Sequence, residues 1–249
     1  MRPSLGGGDT PFVKPNVSHC ITENEVHYNP IPETRLVTTF YVSDASQPTR
    51  MYGYYIDDNP SWSILGVNLF DMINIDGVDI EPSTIDSTNG NYQLSQGNHV
   101  VKYTLKDNTK ILGQSFYGCI AMTSVIFPST VEEVEYEAFR NCYSLRTIKM
   151  NEGLQIVGDS AFEGYDYDAL QGNVTFPSTV TSIGATVFSY ETNLTSVTML
   201  ATTPPTIRSS SFGSEENTYI IYVPSESLNA YKSATNWTRY VERIQPIQN

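Results

Sequence analysis

Apolar positions in this chain recur in a short unit that repeats four times between Ile111 and Met199. The first unit holds Ile111, Ser115, Phe116, Cys119, Met122, Val125 and Phe127; the second holds Val134, Ala138, Phe139, Cys142, Leu145, Ile148 and Met150. The third has Val157, Ala161, Phe162, Leu170, Val174 and Phe176, and the fourth Ile183, Val187, Phe188, Leu194, Val197 and Met199. Their phenylalanines stand 23, 23 and 26 residues apart, and Phe212 follows 24 later. The string Phe127-Pro128-Ser129-Thr130-Val131 returns unchanged at Phe176-Pro177-Ser178-Thr179-Val180. A fixed period in the twenties predicts a solenoid. Within a unit, Val134, Ala138 and Cys142 fall at i, i+4, i+8, the spacing of one face of a helical turn, and Ile148 and Met150 alternate as a brief strand does. So small a unit encloses no core alone, but stacked copies bury each Phe, Leu and Ile on its counterpart. The four residues Tyr165-Asp166-Tyr167-Asp168 are expected to bulge from the third unit as a loop.

Upstream the pattern changes. Leu36-Val37-Thr38-Thr39-Phe40-Tyr41-Val42 and Arg50 to Ile56 read as strands by their β-branched and aromatic content. Ile73-Asn74-Ile75 and Val78-Asp79-Ile80 flank Asp76-Gly77, a two-residue hairpin signal. Tyr92-Gln93-Leu94 and Val100 to Leu105 complete a set of short strands, which predicts a small antiparallel β-sandwich over 34–106. Residues 1–33, with five prolines and no periodicity, read as a linker or trimmed segment. The repeats proper occupy 107–200. Residues 201–249 hold the fifth anchor, then Pro224, Ser225 as an expected N-cap, and Leu228, Tyr231, Ala234 and Trp237 on an expected capping helix.

The units V-x-x-x-A-F-x-x-C-x-x-L-x-x-I-x-M resemble the BspA-like leucine-rich repeats of bacterial surface proteins, which lack a regular asparagine ladder, as here. The C-terminal string I-Y-V-P-x-x-S-x-x-A-Y-x-x-A-x-x-W is similar to the end of the same family, and the resemblance covers about 98–249. It implies a secreted or cell-surface bacterial protein, its leader removed, that adheres to host extracellular proteins or to other cells. It also implies an immunoglobulin-like character for the upstream module.

Composition narrows the function classes. The formal charge of −13 and the lack of clustered Lys/Arg argue against nucleic acid and against an anionic membrane. No apolar run is long enough to span a bilayer. Met1 to Gly8 holds no signal-peptide core. Cys119 and Cys142 occupy equivalent rung positions, so a bridge is conceivable, but free buried thiols are the expectation; Cys20 lies outside the repeats.

No catalytic constellation is present, and no cofactor or metal is expected. His19, His27 and His99 lack zinc-ligand spacing, and His99 reads as a strand-edge residue. Asp71, Asn74, Asp76, Asp79 and Glu81 fail the EF-hand pattern and suit a hairpin turn. Glu132, Glu133, Glu135 and Glu137 read as a solvated rim. What remains is surface. Residues alternating with the core strands give a candidate binding face: Ser124, Ile126, Thr147, Lys149, Asn173, Thr175, Ser196 and Thr198. An aromatic patch, Tyr52, Tyr54, Tyr55 and Trp62, is the second candidate, with sandwich core as its alternative role. A protein or glycan on a host or neighbouring cell is the expected partner; a stalk without its own ligand is the other possibility. Oligomeric state is left open.

Overall fold

The computed structural model describes residues 35–53, 69–85, 90–107, 109–164, 170–191, 193–213 and 218–248. A first unit, Met1–Ile31, lies outside them, as do the linker reading for 1–33 and the loop expected at 165–168. The described residues all belong to the second unit, Pro32–Asn249.

Before the repeats come β1 (Leu36–Val42), β2 (Thr49–Arg50), β3 (Phe70–Ile75), β4 (Val78–Ile80), β5 (Asn91–Tyr92) and β6 (Gly97–Leu105). The repeats contribute β7 (Lys110–Ile111), β8 (Met122–Ile126), β9 (Glu133–Val134), β10 (Thr147–Lys149), β11 (Ile156–Val157), β12 (Gly172–Phe176), β13 (Ser182–Ile183), β14 (Leu194–Met199), β15 (Thr206–Ile207) and β16 (Ile220–Val223). A short helix, α1 (Leu228–Ser233), precedes the last strand, β17 (Ile244–Pro246).

The solenoid expectation holds. The two-residue strands stack as one parallel sheet in the order β15-β13-β11-β9-β7, and the longer strands form the opposing ladders, β10-β8 and β12-β14-β16-β17. Between them the phenylalanines form a single column. Phe116 lies on Phe139 at 5.0 Å and 3°, Phe139 on Phe162 at 5.4 Å and 11°, and Phe162 on Phe188 at 6.0 Å and 18°. All four are buried, each worth roughly 1.5–3 kcal/mol against solvent exposure.

The segment between the ladders is not the helical turn that the i, i+4 spacing suggests. Gln114, Glu137, Ser160 and Thr186, at matching rung positions, have φ of 60°, 52°, 56° and 54°, and Asn141 and Tyr190 a second left-handed position at 60° and 66°. Left-handed residues stop helix propagation. The N–H groups a helix would use are spent elsewhere: Gln114, Phe116 and Gly118 donate to the carbonyls of Tyr136, Ala138 and Arg140 at 3.1, 2.8 and 2.9 Å. Glu137, Phe139 and Asn141 repeat this to Asp159, Ala161 and Glu163. Each turn is thus a third hydrogen-bonded ladder, closed internally by i→i−3 bonds such as Cys119 N–H to Phe116 at 3.2 Å.

The upstream module is also corrected. β1 pairs antiparallel with β6 on one edge and with β8 on the other, giving a six-stranded sheet β10-β8-β1-β6-β3-β4. Its strands therefore join the solenoid's own sheet, with β2–β5 a separate ribbon, and the described residues do not build a two-sheet, immunoglobulin-like sandwich. Short strands with turns specify antiparallel pairing but not the edge on which they close. Here the deciding contacts are aromatic. Tyr103 and Phe70 pack on Phe116 at 5.1 and 5.8 Å, and Tyr52 packs on Phe70 at 5.8 Å, so the module covers the N-terminal end of the phenylalanine column.

The other end is covered by aromatics that also satisfy rung carbonyls. Trp237 Nε1–H donates to Pro205 at 2.8 Å, Tyr231 O–H to Ala201 at 2.7 Å and Tyr240 O–H to Ser209 at 2.8 Å. The helix is shorter than expected, because Ala234 is extended and Asn236 left-handed at φ 66°; a 3-10 turn, Trp237–Tyr240, comes after it. Ser225 does not cap it: its hydroxyl donates to Ile247 at 3.1 Å, and Pro224 precedes the first turn.

Candidate binding face

In strands β8, β10, β12 and β14 the residues that alternate with the core point away from the phenylalanine column. Val125, Ile148, Val174 and Val197 are buried, while Ser124, Ile126, Lys149, Thr175, Ser196 and Thr198 are half-buried and Thr147 and Asn173 exposed. All eight flank buried core positions on their strands. They fall into two groups.

Asn173, Thr175, Ser196 and Thr198 form one hydrogen-bonded cluster. Asn173 Oδ1 accepts from Ser196 Oγ and Thr198 Oγ1, each at 3.0 Å, and Asn173 Nδ2 donates to Thr175 Oγ1 at 2.9 Å. Register explains this, since Asn173 faces Ser196 and Thr175 faces Thr198 on parallel strands. Tyr222 then continues the Thr198 row on β16.

Ser124, Ile126, Thr147 and Lys149 belong to the other sheet, in the parallel pairs Thr147–Ser124 and Lys149–Ile126. The two sheets are not joined strand to strand; Gln171 N–H reaches Arg146 at 3.4 Å where the rungs meet. What extends this second group is β1. Val37 faces Ile126, Thr39 faces Ser124, and β6 carries Lys102 opposite Val37 and Val100 opposite Thr39. The result is a row in register, Lys149–Ile126–Val37–Lys102–Asn74–Asp79, across six strands that span about 24 Å. Val37, Thr39, Val100 and Lys102 are the residues sequence reasoning missed. Their alternation was legible, but their pairing with β8 was not.

Of the aromatic patch the structure describes Tyr52 alone. Tyr52 is 1% exposed and packed on Phe70. Tyr54, Tyr55 and Trp62 lie outside the described residues.

The acidic side chains sit elsewhere. Lys110 Nζ contacts Glu133 at 2.8 Å and Glu135 at 3.8 Å, and Arg140 lies between Glu137 and Glu163, reaching the latter at 3.1 Å. The rim is therefore partly neutralised by ion pairs rather than simply solvated; Glu132 is exposed. The oxygen-rich hairpin is closed on itself. Asp76 and Gly77 take φ of 52° and 91°, Asn74 Nδ2 donates to Asp79 at 2.6 Å, and Gly77 N–H donates to Asn74 at 3.0 Å. Asp76 also accepts from Val100 N–H at 2.8 Å and from the His99 ring at 2.6 Å. His99 is thus a buried residue of β6, not an edge residue. Cys119 and Cys142 are free and buried; the Cys142 thiol donates to the Phe116 carbonyl at 3.1 Å. Burial pushes the Cys142 thiol up to about 12 and Cys119 well above its ordinary value.

Among the described residues no helix is long and apolar enough to cross a membrane. A comparison with the curated proteins found no match. The family described as the BspA type leucine-rich repeat region matches residues 109–239, in six copies. Those residues cover the phenylalanine column, the strands β7 to β16 and, of the aromatic end cover, Tyr231 and Trp237. The chain belongs to the BspA-type leucine-rich-repeat family.

Proposed function

We propose that this is a non-enzymatic bacterial surface or secreted protein that captures a protein partner on the outward face of its sheets. The observation that supports this most is the six-strand row from Lys149 to Asp79. Apart from Lys149 and Lys102, the rung and β1 positions of this face carry small hydroxyl and aliphatic side chains at strand spacing, so little conformational entropy opposes docking on them. Lys149 on β10 and Lys102 on β6 are the charged residues that those two strands bring to the row. Family membership supports the same reading, since solenoids of this kind serve as binding scaffolds.

The test is capture of purified host matrix and bacterial surface proteins by the full chain, beside Lys149→Glu and Thr175→Arg. We expect one or more partners to bind saturably, and each substitution to weaken binding by about tenfold or more. Unchanged capture by both variants would remove the sheet face. Absence of saturable capture would favour a stalk, and signal confined to a glycan array would favour a glycan-binding accessory protein.

A further inference from the structure

A cleft of ≈ 490 Å³ opens beside the end of β1, walled by Tyr41 to Asp44, by Gln47 to Arg50, by Asn91, and by Gly118, Ile120 and Ala121 of the first rung turn. Arg50 and Asn91 are register partners on β2 and β5, so both side chains reach the cleft from neighbouring positions. Among the described residues the Arg50 guanidinium has no hydrogen-bond or ion-pair partner, which is notable in a chain of net charge −13. It lies close over Gly118: a Cβ there would stand 3.0 Å from Arg50 Nη1. Asp44, the acid of the cleft, is turned to its own loop, where it accepts from Ser46 N–H at 2.8 Å. At the rim Tyr41 is 51% and Ile120 56% exposed.

We propose that this cleft binds a carboxylated sugar unit of the hexuronate class. The Arg50 guanidinium presents a planar donor fork that matches a carboxylate in bidentate geometry, and the neighbouring Asn91 amide supplies a donor and an acceptor for a hydroxyl. The exposed Tyr41 ring offers a flat apolar surface to the C–H face of a pyranose. The volume lies in the range of small-ligand sites. An extended peptide is less well served, because β1 is already paired on both edges and cannot accept an added strand. The site is distinct from the sheet face, and its ligand does not depend on what that face captures.

Calorimetric titration of the full chain with glucuronic acid tests it, with glucose and N-acetylglycine as comparators. Saturable binding of glucuronate is expected, with no binding of glucose and weaker binding of N-acetylglycine. Arg50→Gln should weaken glucuronate by about tenfold or more and Tyr41→Ala by several-fold, while Lys149→Glu leaves it unchanged. Arg50→Lys keeps the charge and loses the fork, so it guards against misfolding of the first variant; a loss of about threefold or more supports the site. The proposal is overturned by absence of glucuronate binding, by equal binding of glucose or N-acetylglycine, or by affinity unchanged in both Arg50 variants.

Discussion

Thr39 and Ser124 meet hydroxyl to hydroxyl at 2.7 Å although 85 residues separate them along the chain. Thr39 also touches Thr123 Oγ1 at 2.7 Å. The contact fuses the upstream strands to the first rung, so β8 has β1 on one edge and β10 on the other. Thr39→Pro removes a ladder donor in a central strand, where proline is not tolerated. Hydrogen exchange should then show the amides of Met122–Ile126 losing protection, while those of Leu194–Met199 keep theirs. Unchanged protection at β8 would mean that β1 is dispensable to the repeats.

Phe139 is sandwiched by Phe116 and Phe162. Phe139→Ala opens a cavity in the middle of the column and should cost about 3–5 kcal/mol in urea denaturation; Phe139→Leu should cost less. Because each rung leans only on its neighbours, the loss should broaden the transition as well as shift it.

Gly53 has no room for a side chain. A Cβ there would lie 2.0 Å from Gln114 O and 2.5 Å from Tyr117 N, both backbone atoms that the rung holds in place, and Gly53 N–H itself donates to Ser115 at 2.5 Å. Gly53→Ala should destabilise the chain by about 1–3 kcal/mol or more, read as a fall in melting temperature. An unchanged melt would show the seam to be looser than its geometry.

His99 titrates above its ordinary value. Burial opposes the cation, but the Asp76 carboxylate and the Ser95 carbonyl, at 2.6 and 2.9 Å from the two ring nitrogens, outweigh it. A raised folded-state pKa adds stability fully present below the unfolded value near 6.5 and lost as pH rises through the folded one. NMR titration should place the His99 midpoint above 6.5, and Asp76→Asn should lower it. A midpoint unmoved by Asp76→Asn would refute the pairing as its cause.

Cys119 and Cys142 should ignore thiol reagents at mildly alkaline pH in the folded chain and react on unfolding in guanidinium, as peptide mapping of the labelled sites would report. Their burial keeps the thiolate scarce, with Cys142 at about 12. Labelling of either in the native state would show that the column opens.

The phenylalanine column was legible in the chain, for a physical reason. Buried positions repeat because each rung presents the same pocket to the next, so Phe116, Phe139, Phe162 and Phe188 announce their stacking by period alone. The turn was misread because its fate is decided between rungs. Val134, Ala138 and Cys142 share a helical face by spacing, yet the Phe139 N–H goes to Ala161 in the next rung. Asparagine tolerates the left-handed region that Asn141 adopts, whereas nothing about a glutamate marks Glu137 for it. The candidate face was half legible. Strand alternation picked its eight rung residues, but its extension through Thr39 and Val37 depends on a long-range pairing that no local pattern encodes.

Among the described residues, the outermost parallel strand, β17, pairs with β16 alone, and it ends in Pro246. Proline brings no N–H to that border, and the stretch is three residues long. A rim so short, and blunted in this way, is a poor template for a foreign chain. A second molecule that tried to pair along this border would find few groups to grip.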